Sequence, residues 1–209
     1  MKQLFFCGFA MVLFSFGAVA QERAVTEEGE EVVLYRDGTW KYVNDEDKPK
    51  KIKTNAKKFE KAATSSFLVK CSKVNFGIYI NPKDWTFTKG EGGAEYDFVK
   101  KGDDIYGMLI TETLEIPLES LKDIAIENAR SAAPDLRVVE EEYRMVNGIK
   151  VLMMKMVGTI QGIEFAYLGY YYSNSSGSCQ FITYSGVSIL EQNKEQCELL
   201  LNGFVELNK

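Results

Sequence analysis

Histidine is absent from all 209 positions of the sequence. Without it no Ser-His-Asp or Cys-His device can be assembled, the usual proton carrier at neutral pH is missing, and zinc or haem loses its commonest protein donor. Enzyme readings shrink to carboxylates, lysine or cysteine. No apolar run after residue 20 is long enough to span a bilayer. No glycine loop of the phosphate-cradling kind opens a helix: Gly90-Glu91-Gly92-Gly93 precedes a strand pattern and reads as a flexible turn. There is no basic excess, which disfavours a nucleic-acid partner.

The first twenty residues, MKQLFFCGFAMVLFSFGAVA, set Lys2 before an apolar stretch that ends in the small-x-small pattern Ala18-Val19-Ala20. They are expected to be an export signal cleaved near Ala20, which places the mature chain in the periplasm or outside the cell. Removing them deletes one Lys and no acid, so 25 basic and 30 acidic residues become 24 and 30, a net charge of −6. Cys71, Cys179 and Cys197 remain. In an oxidising compartment they could make one disulfide with a spare thiol, with Cys179 and Cys197 the candidate pair, or simply be three small buried residues.

Residues 21–44 are expected to hold a β-hairpin, read from VLYRDGTWKY. If Asp37-Gly38 fill a two-residue type I′ loop, Val33, Tyr35, Trp40 and Tyr42 share one surface. A three-residue loop with a bulge would shift that register. Residues 45–66 change composition: Asp45-Glu46-Asp47 precede seven lysines between Lys48 and Lys61, and the segment reads as a Lys-rich linker.

Residues 67–209 read as one domain. Strands are expected over 74–80, continuing through 85–88, then over 94–100 and 104–113. A helix follows from Pro117 to about Ala132, with Ala133-Pro134 as its stop. Four strands come next, over 136–146, 149–160, 163–173 and 178–187, joined by Asn147-Gly148, Gln161-Gly162 and Asn174-Ser175-Ser176-Gly177, all tight-turn chemistry. Ser188 and Glu191 fit a capping box for a closing helix that sets Leu190, Cys197, Leu201 and Phe204 along one face. Because VLMMKMV and FAYLGYYY are apolar on both parities, both faces of the sheet must be covered. The fold class is therefore α+β: an antiparallel sheet of about six to seven strands, sandwiched by helices and preceded by a β-hairpin that could serve as further cover.

That order of elements, with Asn81-Pro82-Lys83-Asp84-Trp85, Val146-Asn147-Gly148 and Leu200-Leu201-Asn202-Gly203-Phe204, resembles the PsbP-like superfamily over roughly residues 67–207. The blocks EYRMVNGIKVLMMKMVGTIQGIEFAYLGYYYS and ITETLEIPLESLKDIAIENARSAAPD look like a group of exported bacterial proteins of unassigned function, and DGTWKY looks like an appendage that recurs in such proteins. The resemblance implies a module that binds rather than catalyses, with no catalytic motif to carry onto this chain.

The expected function is a non-catalytic binding or assembly module of the bacterial envelope. No cofactor, resident metal, nucleic acid or membrane span is expected, and the partner is a protein or an envelope component. Candidate contact residues are Tyr35, Trp40 and Tyr42 on the hairpin, and Tyr170, Tyr172 and Tyr184 on the sheet. Two alternatives come from other classes. Glu140 and Glu142, on one face of a strand with Glu141 on the other, could raise a pKa for hydrolase or lyase chemistry, against the plainer reading of a solvated edge countered by Arg137 and Arg144. Met145, Met153, Met154 and Met156 could hold Cu(I), but alternation sends Met153 away from Met154 and Met156, which favours core packing.

Overall fold

A computed structural model describes residues 22–26, 29–44 and 51–207; the expected export signal and positions 45–50 of the expected linker lie outside the described residues. The chain divides into two compact units between Lys51 and Ile52.

The first unit holds β1 (Glu22–Val25), β2 (Glu31–Leu34) and β3 (Trp40–Tyr42), antiparallel and in that order across the sheet. The turn between β2 and β3 has three residues, not two. The Tyr35 N–H donates to the Thr39 carbonyl at 2.8 Å, and Gly38 takes φ 83°, the left-handed residue that ends a turn of this length. Asp37 holds it shut, accepting from the Thr39 N–H at 2.9 Å and its hydroxyl at 2.7 Å. The register therefore moves by one. Leu34 faces Trp40 and Val32 faces Tyr42, so Tyr35 leaves the aromatic face that the two-residue loop would have given it. β1 was not anticipated; it sets Ala24 opposite Val32 and turns a marginal hairpin into a three-stranded sheet.

The second unit runs β4 (Thr54–Phe59), β5 (Phe67–Lys70), β6 (Phe76–Ile80), β7 (Trp85–Lys89), β8 (Tyr96–Lys100), β9 (Tyr106–Glu112), α1 (Leu118–Ala132), β10 (Arg137–Val146), β11 (Ile149–Ile160), β12 (Ile163–Asn174), β13 (Gly177–Gly186), α2 (Val187–Gln192), α3 (Lys194–Leu201) and β14 (Phe204–Glu206). Eight of these strands form one sheet in the order β4-β10-β11-β12-β13-β9-β8-β7. Every neighbour is antiparallel except β4 and β10, which are parallel. Asn147 and Gln161 adopt positive φ, 48° and 51°, as type I′ turns require, which keeps β10, β11 and β12 in tight succession.

Rows of directly opposed residues explain why both parities are apolar. Tyr96, Leu109, Phe181, Tyr170 and Met153 cross five strands on one face, while Met108, Ile182, Gly169 and Met154 cross on the other. The first face packs under α2, α3 and a small antiparallel sheet, β14-β6-β5; the second packs under α1 through Leu121 and Ala125. The α+β sandwich expected from the sequence is present, with eight strands rather than six or seven and one parallel pair.

Residues 85–88, expected to extend the 74–80 strand beyond Asn81-Pro82, belong instead to a separate strand in a different sheet. Asn81 accepts at its carbonyl from the N–H groups of Asp84 (3.1 Å) and Trp85 (3.0 Å), and its side chain accepts from the Lys83 N–H at 3.1 Å. This Asx-type turn sends β6 to the small sheet and β7 to the large one. The small sheet thus supplies a cover that the sequence reading had sought from helices and the hairpin. Gly203 makes its third strand possible. A Cβ there would stand 2.0 Å from the Tyr79 carbonyl oxygen, and the Tyr79 N–H donates to the Gly203 carbonyl at 2.8 Å.

The expected linker over 45–66 also needs correction, because Thr54–Phe59 is an edge strand of the main sheet. Lysine density hid a strand that buries only one large residue, Phe59, while Lys57 and Lys58 stay in solvent, where edge lysines deter further pairing. At the other end, α2 starts at Val187 with no side-chain cap, so the Ser188–Glu191 box does not form; Leu190, Cys197, Leu201 and Phe204 are nonetheless all buried.

A chain beginning at Ile52 is expected to unfold cooperatively, whereas one beginning at Phe67 should lose at least about 3 kcal/mol in urea titrations through removal of the buried Phe59. Tyr171 is fully buried, and its hydroxyl has no hydrogen-bond partner among the described residues. Tyr171→Phe is therefore expected to leave stability unchanged or raise it by about 1 kcal/mol, while Tyr170→Phe, which loses bonds to Asn202 and Arg144, should lower it by about 1–2 kcal/mol.

Candidate functional site

The acidic run on β10 is the densest concentration of chemistry in the sequence. β4 pairs with β10 from Tyr143 onward, so the run lies just before the paired stretch, where the Asn55 side chain of β4 reaches Glu142. A bulge between Val138 and Glu140 resets the pairing and places Glu140, Glu141 and Glu142 opposite Lys155, Met154 and Met153. Alternation then directs Glu140 and Glu142 to the α3 face and Glu141 to the α1 face. Glu141 accepts from Lys122 of α1 at 2.5 Å. Glu140 lies 3.4 Å from Lys194 of α3 and 3.9 Å from Lys155, which also bonds Glu191 of α2. Glu142 accepts from Arg144 at 2.6 Å and from the Asn55 amide at 3.0 Å to both oxygens.

Arg144 is the centre of this arrangement. Its guanidinium is buried, donates also to Glu198 of α3 at 3.0 Å and to the Tyr170 hydroxyl at 3.3 Å, and lies 4.4 Å from the Phe59 ring centroid. Tyr170 passes the chain on, donating to Asn202 at 2.7 Å. Burial alone would lower the Arg144 pKa, but its bonds to Tyr170, Glu142 and Glu198 outweigh that and hold the cation above its ordinary range. Burial would likewise raise the Glu142 carboxyl, yet the bonds from Asn55 and Arg144 leave it below its ordinary value. An acid held ionised in this way is no proton donor at neutral pH. Arg137, expected as a second counter-charge here, pairs instead with Glu164 at 3.3 Å.

The aromatic candidates fall in three places. Tyr170 is 1% exposed and belongs to the core, with its hydroxyl pushed up to about 12 by burial. Tyr172 is on the same face, its ring 5.3 Å from Phe76 and 5.6 Å from Phe204, and its hydroxyl reaches Glu206 at 3.3 Å. Tyr184 points to the opposite face, because the β12–β13 register sets it against Tyr167 and not Tyr170. There it stands in a ladder that sequence reading only half anticipated: Tyr167, Tyr184 and Tyr106 are direct partners across three strands, with rings 6.0 and 5.7 Å apart and 30° and 27° from parallel. Tyr106 ends the ladder at 39% exposure, beside Val99 at 42%. In the first unit Trp40 is half exposed and meets Tyr42 edge-on at 5.1 Å, while Tyr35 faces away from both.

The methionines separate as alternation requires, Met153 into the α3-side core and Met154 and Met156 beneath α1. Cys71, Cys179 and Cys197 are all free thiols in the structure, the latter two buried. Among the described residues no three His, Cys, Asp or Glu side chains come together as a metal site, and no helix is long and apolar enough to cross a membrane. An open cavity of about 270 Å³ lies between the free edges of β5 and β7, lined by Phe67, Ile80, Trp85 and Phe87 with Lys101 at its rim. None of the three strand glutamates reaches it.

No family model matches the chain, and no curated protein does. Solved structures do. A cyanobacterial PsbP from Synechocystis superposes with a TM-score of 0.52 at 13% identity, over 67% of this chain and 91% of that one. LpqN of Mycobacterium tuberculosis, described as involved in cell envelope biogenesis, gives 0.48 at 10% identity over 68% and 90% of the two chains. PA94 of Pseudomonas aeruginosa, a protein of unknown function described as a putative regulator, gives 0.44 at 9% identity over 68% and 98%. At such identities the likeness is one of fold.

Removing the cation tests the cluster most directly. Arg144→Met leaves Glu142 and Glu198 without their shared partner and is expected to cost roughly 3–5 kcal/mol in denaturant unfolding. The sign of the pH dependence follows from the depressed Glu142 carboxyl: its stabilisation is present above the ordinary carboxylate pKa of 4.5 and is lost as pH falls through the lower folded value. Wild-type stability should therefore fall more steeply below pH 4.5 than that of Glu142→Gln, as followed by urea midpoints across pH 3–7.

Proposed function

We propose, from the PsbP-like fold of the second unit, that this chain is a non-catalytic binding or assembly module exported to the bacterial envelope, meeting a protein or envelope component through aromatic surfaces. The observation that carries this reading is how its acids are used. Glu140, Glu141 and Glu142 each pair with a basic side chain, and through Lys122, Lys194 and the Arg144–Glu198 bond they fasten α1 and α3 to the sheet. Carboxylates committed in this way serve packing and not turnover. Aromatic side chains reach solvent at the Tyr106 end of the ladder, and at Trp40 with the partly exposed Tyr42 on the small N-terminal sheet. Tyrosine and tryptophan give large contact area at low entropic cost, which suits a recognition surface. The apolar stretch before Ala20 supplies the address, and the net charge of −6 left after its removal suits a soluble domain.

The test joins address and surface. Expressed from Met1 in a bacterial host, the protein is expected to be recovered from the exported fraction with Gln21 as its first residue, by N-terminal mass analysis. Cross-linking in intact cells should trap a complex that is lost in Tyr106→Ser/Tyr184→Ser or in Trp40→Ser and retained in Glu140→Gln. Retention of residues 1–20 in the cytoplasmic fraction, or a complex lost only in Glu140→Gln, would overturn the reading.

A further inference from the structure

We propose that Cys71 and Cys179 are the partners of a disulfide that joins the small β14-β6-β5 sheet to the eight-stranded one. Both are free thiols in the structure, at the seam between the two sheets. Cys71 directly follows β5, and its N–H donates to the Phe76 carbonyl at 3.0 Å, closing the loop from β5 to β6. That loop is pressed onto the turn before Cys179. The Asn75 N–H reaches Ser176 Oγ at 3.4 Å, and Val74 Cγ1 lies 2.6 Å from where a Cβ on Gly177 would stand.

Two further links bring the thiols toward each other. The Glu95 carboxylate accepts from the Ser72 N–H with one oxygen and from the Thr111 hydroxyl with the other, and Thr111 is the β9 residue directly opposite Cys179. The neighbour of one cysteine and the cross-strand partner of the other are thus clasped by a single carboxylate. On the other side of Cys179, its β12 partner Tyr172 packs its ring 5.3 Å from that of Phe76, the residue that receives the Cys71 N–H. Cys71 packs against the same core cluster that contains Cys179. Electrostatics agrees: burial pushes the Cys71 thiol up to about 12 with the Glu95 charge adding to it, and Cys179 is raised by burial and then by Cys71.

Cys197 is placed otherwise. Its side chain interacts with Thr183, four residues further along β13 than Cys179, which is roughly 13 Å at the rise of an extended strand. The pair chosen from the sequence, Cys179 with Cys197, is therefore the poorer match, since bridged Cα atoms lie within about 7 Å.

The chemistry needs an oxidant of the disulfide class, such as a dithiol-disulfide exchange protein, or oxidised glutathione in vitro. One cysteine thiolate attacks the oxidant's disulfide, forming a mixed disulfide and releasing one oxidant thiolate. The second thiolate attacks the cysteine sulfur of that mixed disulfide, forming the Cys71–Cys179 bond and releasing the other oxidant thiolate. Two electrons and the two thiol protons end on the oxidant. Because burial keeps both groups as thiols in the folded state, the exchange belongs to the folding chain, before the two sheets close over the pair.

The full chain carrying Cys7→Ser, refolded with reduced and oxidised glutathione, alkylated in denaturant and digested without reduction, tests this. The expected product is a peptide linking Cys71 to Cys179, with Cys197 alkylated. Closing a loop of about 100 residues should raise the melting temperature over that of the reduced protein by roughly 5–15 °C. The difference should vanish in Cys71→Ser and in Cys179→Ser and persist in Cys197→Ser. Three alkylated thiols after oxidative refolding, or Cys197 in the linked peptide, would overturn the assignment.

Discussion

The architecture turns on one buried cation. A guanidinium taken out of water costs several kcal/mol unless its donors are matched, and Arg144 is matched from every side. Glu142, itself held by the Asn55 amide of β4, meets it along the strand, Glu198 from α3, Tyr170 from the core and Phe59 of β4 across the face of its plane. These partners come from β4, β10, β12 and α3, elements far apart in the chain that also share one apolar cluster, to which the ion network adds directional bonds. The ion network settles where β4 docks on β10 and how α3 lies over the sheet. This explains why a carboxylate run that looks catalytic in the sequence is structural in the fold.

The second constraint is burial from both sides. A wide sheet whose strands are apolar on both parities has to be roofed twice, and the two roofs differ. On one side α2, α3 and the small sheet act together. On the other, α1 is a single helix about 10–12 Å across with its side chains, while strands repeat every 4.8 Å or so. It can cover little more than two strands, and it packs on β11 and β12. Ile182 of β13 and Met108 of β9 still pack into the α1-side cluster, whereas Tyr184 and Tyr106 on the same strands lie outside it, and there the tyrosine ladder stands.

Much of this was legible in the sequence where the signal is local. Asn147-Gly148 and Gln161-Gly162 marked the turns because few other residues accept the backbone they need, and Pro117 and Ala133-Pro134 marked the ends of α1. What escaped depends on distance along the chain. β4 is visible only through its partner 87 positions away, Asn55 with Glu142, since lysines dominate its composition. β14 is too short to show periodicity and exists because β6 offers an edge. The tyrosines were misassigned for the same reason. Tyr170, Tyr172 and Tyr184 share even numbers, but the β12–β13 register pairs odd with even, 167 with 184 and 170 with 181, so even numbering alone could not place them on one face.

The division of labour between the two faces follows from these terms. Tyr170 and Tyr172 have acceptors for their hydroxyls inside the protein, Asn202 and Glu206, so their amphipathic character is consumed in holding α3 and β14 in place. Tyr106, Tyr184 and Tyr167 meet one another ring to ring, and a row of stacked rings at the wet end of a sheet gains little for stability that ordinary β-formers would not also give. Under the proposed function, large aromatic groups placed where the fold does not require them fit a recognition surface on the tyrosine face, while the ion network around Arg144 on the opposite face serves stability. The two faces can differ in this way because the strands alternate: each residue step along β12 crosses from one face to the other.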